Sequence, residues 1–436
     1  MAQISKRYRC LTDFYGSDEE LVAKRVLESI ITQIYFPAPT FLNLVIKNCN
    51  AVEGTSFTEA SIYLQLSHES RQAFRTNYLE GYPTCGQVYM KDIVNKALLQ
   101  EFVEKGVKAI EKHSDACRDA FLSLLEFFHE QKKHESALYS LITAATSVNK
   151  KAVTAGLAHH LFSQLIPDKK YEVYKDVNDL LRECGCGCKA TICEGNTSIG
   201  SRATWHGSVD ILLNQTIAVT VGTKSTISAE QVNDGELADD NGDDDDDDAN
   251  EGEPQLKQRK IENDKNCYIY DDGKLINKQD NVLLDSKVLK QILAEALTNG
   301  FAQVNRDTNT LSQFFIPTIG ATLEHLTVCM YDCENDVLLH IQDQLELWCP
   351  DDTTCYNQLN VTTIVIMWIF LNFTVFTRQN LCNVLDLDRS GLYDKLKESL
   401  EWYRKADLGG NFTSQTAVVP PWKYVTPVPK SRKTED

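Results

Sequence analysis

The chain contains no fixed repeat period, no Gly-rich phosphate loop and no Ser/His/Asp arrangement of the kind that serves acyl transfer. The first absence argues against a solenoid, and the other two leave no mark of a nucleotide-binding fold or a triad hydrolase. The opening MAQISKRYRC lacks the apolar core and small-residue cleavage site of a secretory signal. Fourteen cysteines scattered from Cys10 to Cys382 are therefore expected to be reduced thiols in an intracellular protein, cytoplasmic or nuclear. Long apolar runs are also scarce. The one uncharged candidate, Val361 to Thr377, sits at the lower limit for a membrane-spanning helix and has no flanking positive cluster. Its β-branched residues and internal Asn372 predict a buried element, and no membrane partner is expected.

Positive charge is missing from Glu230 to Glu253, which holds thirteen acidic residues and neither Lys nor Arg. Taking those thirteen charges from the net −18 leaves only −5 on the rest of the chain. A whole-protein field that attracts nucleic acid is thus excluded, while local basic surfaces are not. The run has no apolar periodicity and repels itself, which predicts a disordered loop at about 225–265. The basic pieces KQRK at Lys257 and PKSRK at Pro429 resemble import signals but are too short to decide localisation.

What remains is globular. With 42% hydrophobic and 24% charged residues, 436 residues suffice for two or three domains. Residues 1–165 read as a helical domain: Ser17 to Glu20 form a capping-box signature, and Val22, Val26, Ile30 and Ile34 follow at four-residue spacing. A change of texture after Pro167 predicts an α/β domain over 166–350. It opens with a helix from Tyr171 to about Glu183, followed by strands near Ala190 to Cys193, Val209 to Leu213 and Thr216 to Val221. Asp285 is placed to cap a helix whose apolar face is Val288, Ile292, Leu293, Ala296 and Leu297, and TLEHLTVCMYD with NDVLLHI reads as a strand pair. A helical extension over 351–410 and a flexible tail over 411–436 complete the expectation.

Chemistry concentrates on TWHGSVDILLN, beginning at Thr204. An acid inside an apolar strand costs stability unless it is solvated, hydrogen-bonded or bound to a cation, which singles out Asp210. Trp205 and His206 beside it read as packing residues that line the same region. The order helix, strand, strand with a buried acid, strand, helix, strand resembles the PD-(D/E)XK, restriction-endonuclease-like nuclease superfamily over roughly 170–350. That resemblance implies a central mixed sheet on which an Asp and a second Asp, Glu or Gln hold Mg²⁺, with a Lys two residues beyond the second ligand near the attacking water. Asp210 matches the first ligand. The next strand, IAVTVGTK, offers Thr220 and Gly222 where the second acid belongs and supplies only Lys224. Gln255 with Lys257 fits a Gln-x-Lys variant, making Gln255 the implied second metal ligand. Asp285 with Lys287 forms a literal Asp-x-Lys, although Asp285 is more simply explained as a helix cap. Gln291 resembles the glutamine of the Q-x-x-x-Y helix in RecB-like members, with Glu295 in place of the tyrosine. Glu172 or Glu183 could add a further acid.

The reading that follows is a PD-(D/E)XK-like protein without catalysis, or weakly catalytic, that binds DNA, RNA or a basic protein. The alternatives are an active Mg²⁺-dependent nuclease using Asp210, Gln255 and Lys257, and an interaction scaffold unrelated to nucleases. One further cluster draws notice. Cys184, Cys186 and Cys188 alternate with glycine and Cys193 follows, but there is no Cys-x-x-Cys pair and no second knuckle, which predicts plain thiols. His129, His134, His159 and His160 read as helical core or surface residues.

Overall fold

The computed structural model describes residues 10–32, 39–67, 87–143, 149–175, 183–222, 268–271, 274–277, 286–349 and 358–410. The expectations placed on 225–265 and on 411–436 lie outside these residues, as do Lys224, Gln255, Lys257 and Asp285. The architecture is mixed α/β around one large sheet.

Three strands come from the stretch read as helical: β1 (Thr40–Cys49), β2 (Ile62–Leu66) and β3 (Gln87–Tyr89). They are followed by β4 (Tyr171–Tyr174), β5 (Glu194–Gly195), β6 (Ser198–Gly200), β7 (His206–Ser208), β8 (Ile211–Leu213) and β9 (Ile217–Val221). A separate two-stranded ribbon pairs β10 (Tyr268–Asp271) with β11 (Lys274–Asn277). Then come β12 (Ile316–Ala321), β13 (His325–Asp332), β14 (Val337–Ile341), β15 (Leu345–Glu346) and β16 (Asp407–Leu408). The large sheet runs β2-β1-β14-β13-β12-β9-β8-β4-β5, with β3 added to β1 and β15 to β13. A small sheet, β16-β6-β7, stands apart.

Two local expectations change. Tyr171–Tyr174, read as the start of a helix, is a strand antiparallel to β8, and the helix preceding it is residues 150–160. In β1 the successive residues Phe41, Leu42, Asn43 and Leu44 are all buried, so the alternation that announces a half-exposed strand is absent. The hairpin β8–β9 and the pair β13–β14 form where their apolar runs place them.

Long helices among the described residues are α1 (Asp18–Thr32), α2 (Lys96–Lys105), α3 (Asp115–Thr143), α4 (Lys150–His160), α5 (Ser286–Arg306) and α6 (Val361–Leu371). The α1 start uses the predicted cap, Glu20 N–H donating to Ser17 Oγ at 3.2 Å. The face it buries, however, is Glu20, Ala23, Leu27, Ile30 and Ile31.

Helix α5 lies on one face of the sheet. A Cβ on Gly320 of β12 would sit against Ile292 of α5 and 2.7 Å from Thr327 Cγ2, so glycine is what lets helix and sheet approach. Thr220, Thr327, His340 and Leu42 share that face through the strand register, and Phe41 points the other way, where its ring meets Phe370 of α6 at 5.6 Å. On this second face α6 is tied to α3 by Trp368 Nε1–H donating to the Ala120 carbonyl at 2.7 Å. Both faces being covered, β9, β12 and β14 bury every residue. The apolar run from Val361 ends up inside this packing, and no helix among the described residues is long and apolar enough to cross a membrane.

Candidate functional site

Strands β8 and β9 form a tight hairpin with Ile211 opposite Val219 and Leu213 opposite Ile217. In the three-residue loop 214–216, Asn214 and Gln215 both take left-handed backbone angles (φ 47° and 54°), and the Thr216 N–H closes the turn on the Leu213 carbonyl at 2.8 Å. Helix α5 grips this turn through its polar residues. Gln303 Nε2 and Arg306 Nη1 donate to the Gln215 carbonyl at 3.1 and 2.7 Å, and Asn299 Nδ2 donates to the Thr216 carbonyl at 2.9 Å. From Gln303 back to Glu295 the helix spans about 12 Å at 1.5 Å per residue. From Thr216 to Thr220 the strand covers about 13 Å. Fixing the turn at one end therefore brings Glu295 beside Thr220 at the other.

That end of the hairpin carries the candidate site. Asp210 immediately precedes β8, and its carboxylate is held at both oxygens: Oδ1 pairs with Lys150 Nζ at 2.9 Å, and Oδ2 accepts the Val221 N–H at 2.7 Å. Lys150 is the first residue of α4, whose start is set by Asn149, its side chain accepting the Lys151 N–H at 3.0 Å. The Asp210 side chain retains 18% of its exposure and that of Lys150 retains 48%, so the pair lies at the edge of the fold.

Behind it, Glu295 is fully buried. Thr220 Oγ1 donates to its Oε2 and Gln291 Nε2 donates to its Oε1 at 2.9 Å. Loss of solvation pushes the Glu295 carboxyl up to about 7, against the pull of these two donors; the charge of Asp210 adds to the rise and that of Lys150 offsets it. Asp210, Lys150, Thr220, Gln291 and Glu295 thus make one electrostatic unit.

Of the residues named from sequence, Asp210 and Gln291 meet in this unit. Gln291 acts through Glu295, the residue standing where the tyrosine of the resembled helix pattern would be. Gln255 and Lys257 lie outside the described residues, as does Asp285. Glu172 is on β4, opposite Leu212. Trp205 is core: it is fully buried, its indole N–H donates to Asn50 Oδ1 at 2.9 Å, and its ring stands edge-on to Tyr403. His206 is half-buried, with Nδ1 2.9 Å from the Thr204 carbonyl. Sequence reasoning missed Lys150 and Glu295 as members of the site. For Glu295 a signal existed, an acid embedded in the apolar QILAEAL with a glutamine one helical turn before it. For Lys150 there was none, because its contact with Asp210 spans sixty residues of chain.

Among the described residues, neither Asp210 nor Glu295 offers Mg²⁺, which takes near-octahedral oxygen ligands, a carboxylate oxygen free of a protein partner. Both Asp210 oxygens are engaged by the chain, and both Glu295 oxygens accept hydrogen bonds while burial favours the neutral acid. Among the described residues, His, Cys, Asp and Glu side chains gather into a metal-sized group of three or more at another place, around His160 and the Cys184–Cys188 loop. No family model, curated protein or solved structure matches this chain.

Proposed function

We propose that this protein is a restriction-endonuclease-like binding module that does not hydrolyse phosphodiesters. The observation that carries the reading is the closure of Asp210: an ammonium group and a backbone N–H occupy the two oxygens that a nuclease would direct at a metal. The fold assignment draws support from connectivity. Helix α4 precedes three antiparallel strands, β4, β8 and β9; α5 then crosses over, and β12 pairs parallel with β9. This order resembles that of the PD-(D/E)XK core, and in such a core Asp210 would stand at the start of the second strand and Thr220 in place of the acid on the third. In this reading Lys150 neutralises Asp210 as a structural ion pair and Glu295 seals α5 onto the sheet. The excess of acidic residues favours a Lys- or Arg-rich protein segment over DNA or RNA as the partner.

Cleavage of single- and double-stranded DNA and RNA with Mg²⁺ or Mn²⁺ is the decisive measurement. Wild type should show no more product than Asp210→Ala, while a labelled basic peptide should bind both proteins with the salt dependence of a charge-driven complex. Metal-dependent cleavage by wild type that disappears in a folded Asp210→Ala would overturn the proposal.

A further inference from the structure

The Cys-Gly-Cys-Gly-Cys loop and the end of helix α4 come together although the sequence between them gives no ligand spacing. His160 Nε2 lies 3.1 Å from Cys186 Sγ and 3.4 Å from Cys188 Sγ, and Cys184 Sγ lies 3.4 Å from Cys186 Sγ. All four ligand atoms fall within 4.8 Å of one another. A tetrahedron with zinc–sulfur bonds of about 2.3 Å and zinc–nitrogen bonds of about 2.0–2.1 Å has edges of about 3.8 Å between sulfurs and about 3.6 Å from sulfur to nitrogen. The four atoms need shifts of only a few tenths of an ångström to a little over an ångström to take that shape. We propose that His160, Cys184, Cys186 and Cys188 form a tetrahedral zinc site of the Cys₃His type.

The glycines explain how so short a spacing can work. Gly187 takes φ +84°, a left-handed angle that reverses the loop between the second and third thiols. Gly185 rests on α4, where a Cβ would come within 2.8 Å of the Ala152 Cβ. The fourth ligand arrives from the far end of α4 in place of a second cysteine knuckle. Cys184 and His160 are buried, Cys186 is half-buried and Cys188 is exposed, so the cluster is open to metal entry on one side while presenting four protein ligands. A closed set of four is the mark of a structural site.

The surroundings of His160 add an independent observation. Zinc on Nε2 leaves the proton on Nδ1, and Nδ1 of the buried His134 lies 3.4 Å away as its acceptor. His134 Nε2 in turn lies 3.9 Å from a carboxylate oxygen of Glu130. A ligating imidazole whose second nitrogen is fixed by a further polar group is the usual support of a zinc site. The four ligand atoms are too close together for an iron–sulfur cubane, whose cysteines must reach around four metals.

The test uses the whole chain, purified and kept under reductant. Bound metal is counted by mass spectrometry, and the stripped protein is titrated with Co²⁺ and then Zn²⁺. Wild type should hold one zinc per chain and give the intense visible bands of tetrahedral, thiolate-bound Co²⁺, which one equivalent of Zn²⁺ abolishes. Cys188→Ser, at the exposed position, should remain folded and lose these bands, and His134→Ala should bind zinc about 10–100-fold more weakly. Substoichiometric binding by reduced wild type, octahedral Co²⁺ spectra, or wild-type affinity in Cys188→Ser would each overturn the site. A brown protein containing iron and labile sulfide would do the same.

Discussion

Replacing Glu295 by glutamine should remove a specific slope from the stability of this protein against pH. In the folded chain the Glu295 carboxyl titrates at about 7, and in the unfolded chain near 4.5, so between those values the folded state holds a proton that the unfolded state has released. Stability from this group is therefore fully present below the unfolded value and is lost as pH rises through the folded one. Between pH 5 and pH 8 the two values correspond to a loss of about 2–3 kcal/mol. Glutamine keeps the volume and one carbonyl acceptor, at the cost of one of the two hydrogen bonds from Thr220 and Gln291, about 1 kcal/mol. Urea unfolding followed by the fluorescence of the buried Trp205, Trp348 and Trp368 measures the difference between the two proteins. Glu295→Gln should be comparable to wild type or slightly weaker at pH 5 and should gain about 2–3 kcal/mol on it by pH 8. A difference that stays constant over this range would show that Glu295 does not carry a raised pKa, and the electrostatic account of the site would fail with it.

Two further perturbations probe the same region. Asp210→Ala removes the acceptor of the Val221 N–H and should cost about 1–3 kcal/mol, whereas Lys150→Ala removes a largely exposed charge and should cost less than about 1 kcal/mol; urea midpoints at neutral pH give the order, and equal losses would contradict the assigned hydrogen bond. Gly320→Ala places a methyl group between β12 and Ile292, and by overpacking it should cost about 1–3 kcal/mol in thermal or urea unfolding, with no loss meaning that α5 does not press on that strand as closely as described.

How much of this was legible beforehand depended on whether a contact is local. The β8–β9 hairpin was visible because its strands are short apolar runs separated by a polar pair, and Asp210 was visible because an acid is costly in such a setting. The apolar face of α5 was visible at helical spacing, but its polar residues were not recognised as partners. Glu295, Asn299 and Gln303 are fully buried against the hairpin, and only the tertiary arrangement shows which hairpin groups they bond. Strand β1 was misread because a strand covered on both faces has no period of two to detect. The thiol cluster was dismissed on spacing alone. Its fourth member, His160, stands 24 residues before Cys184, and the intervening chain passes through β4.

The pairing of β1 with β14 carries a consequence for the order in which the protein can be made. Phe41 registers against Ile341, three hundred residues further along the chain. At 5–20 residues per second a ribosome needs about 15–60 s to supply that partner. Throughout that interval β1 can pair only with the nearby β2 and β3, and the edge destined for β14 stays open. The nascent N-terminal segment is thus a buried strand waiting for its neighbour. Slow closure of the sheet, with an open strand edge until then, is the expected result of that one register.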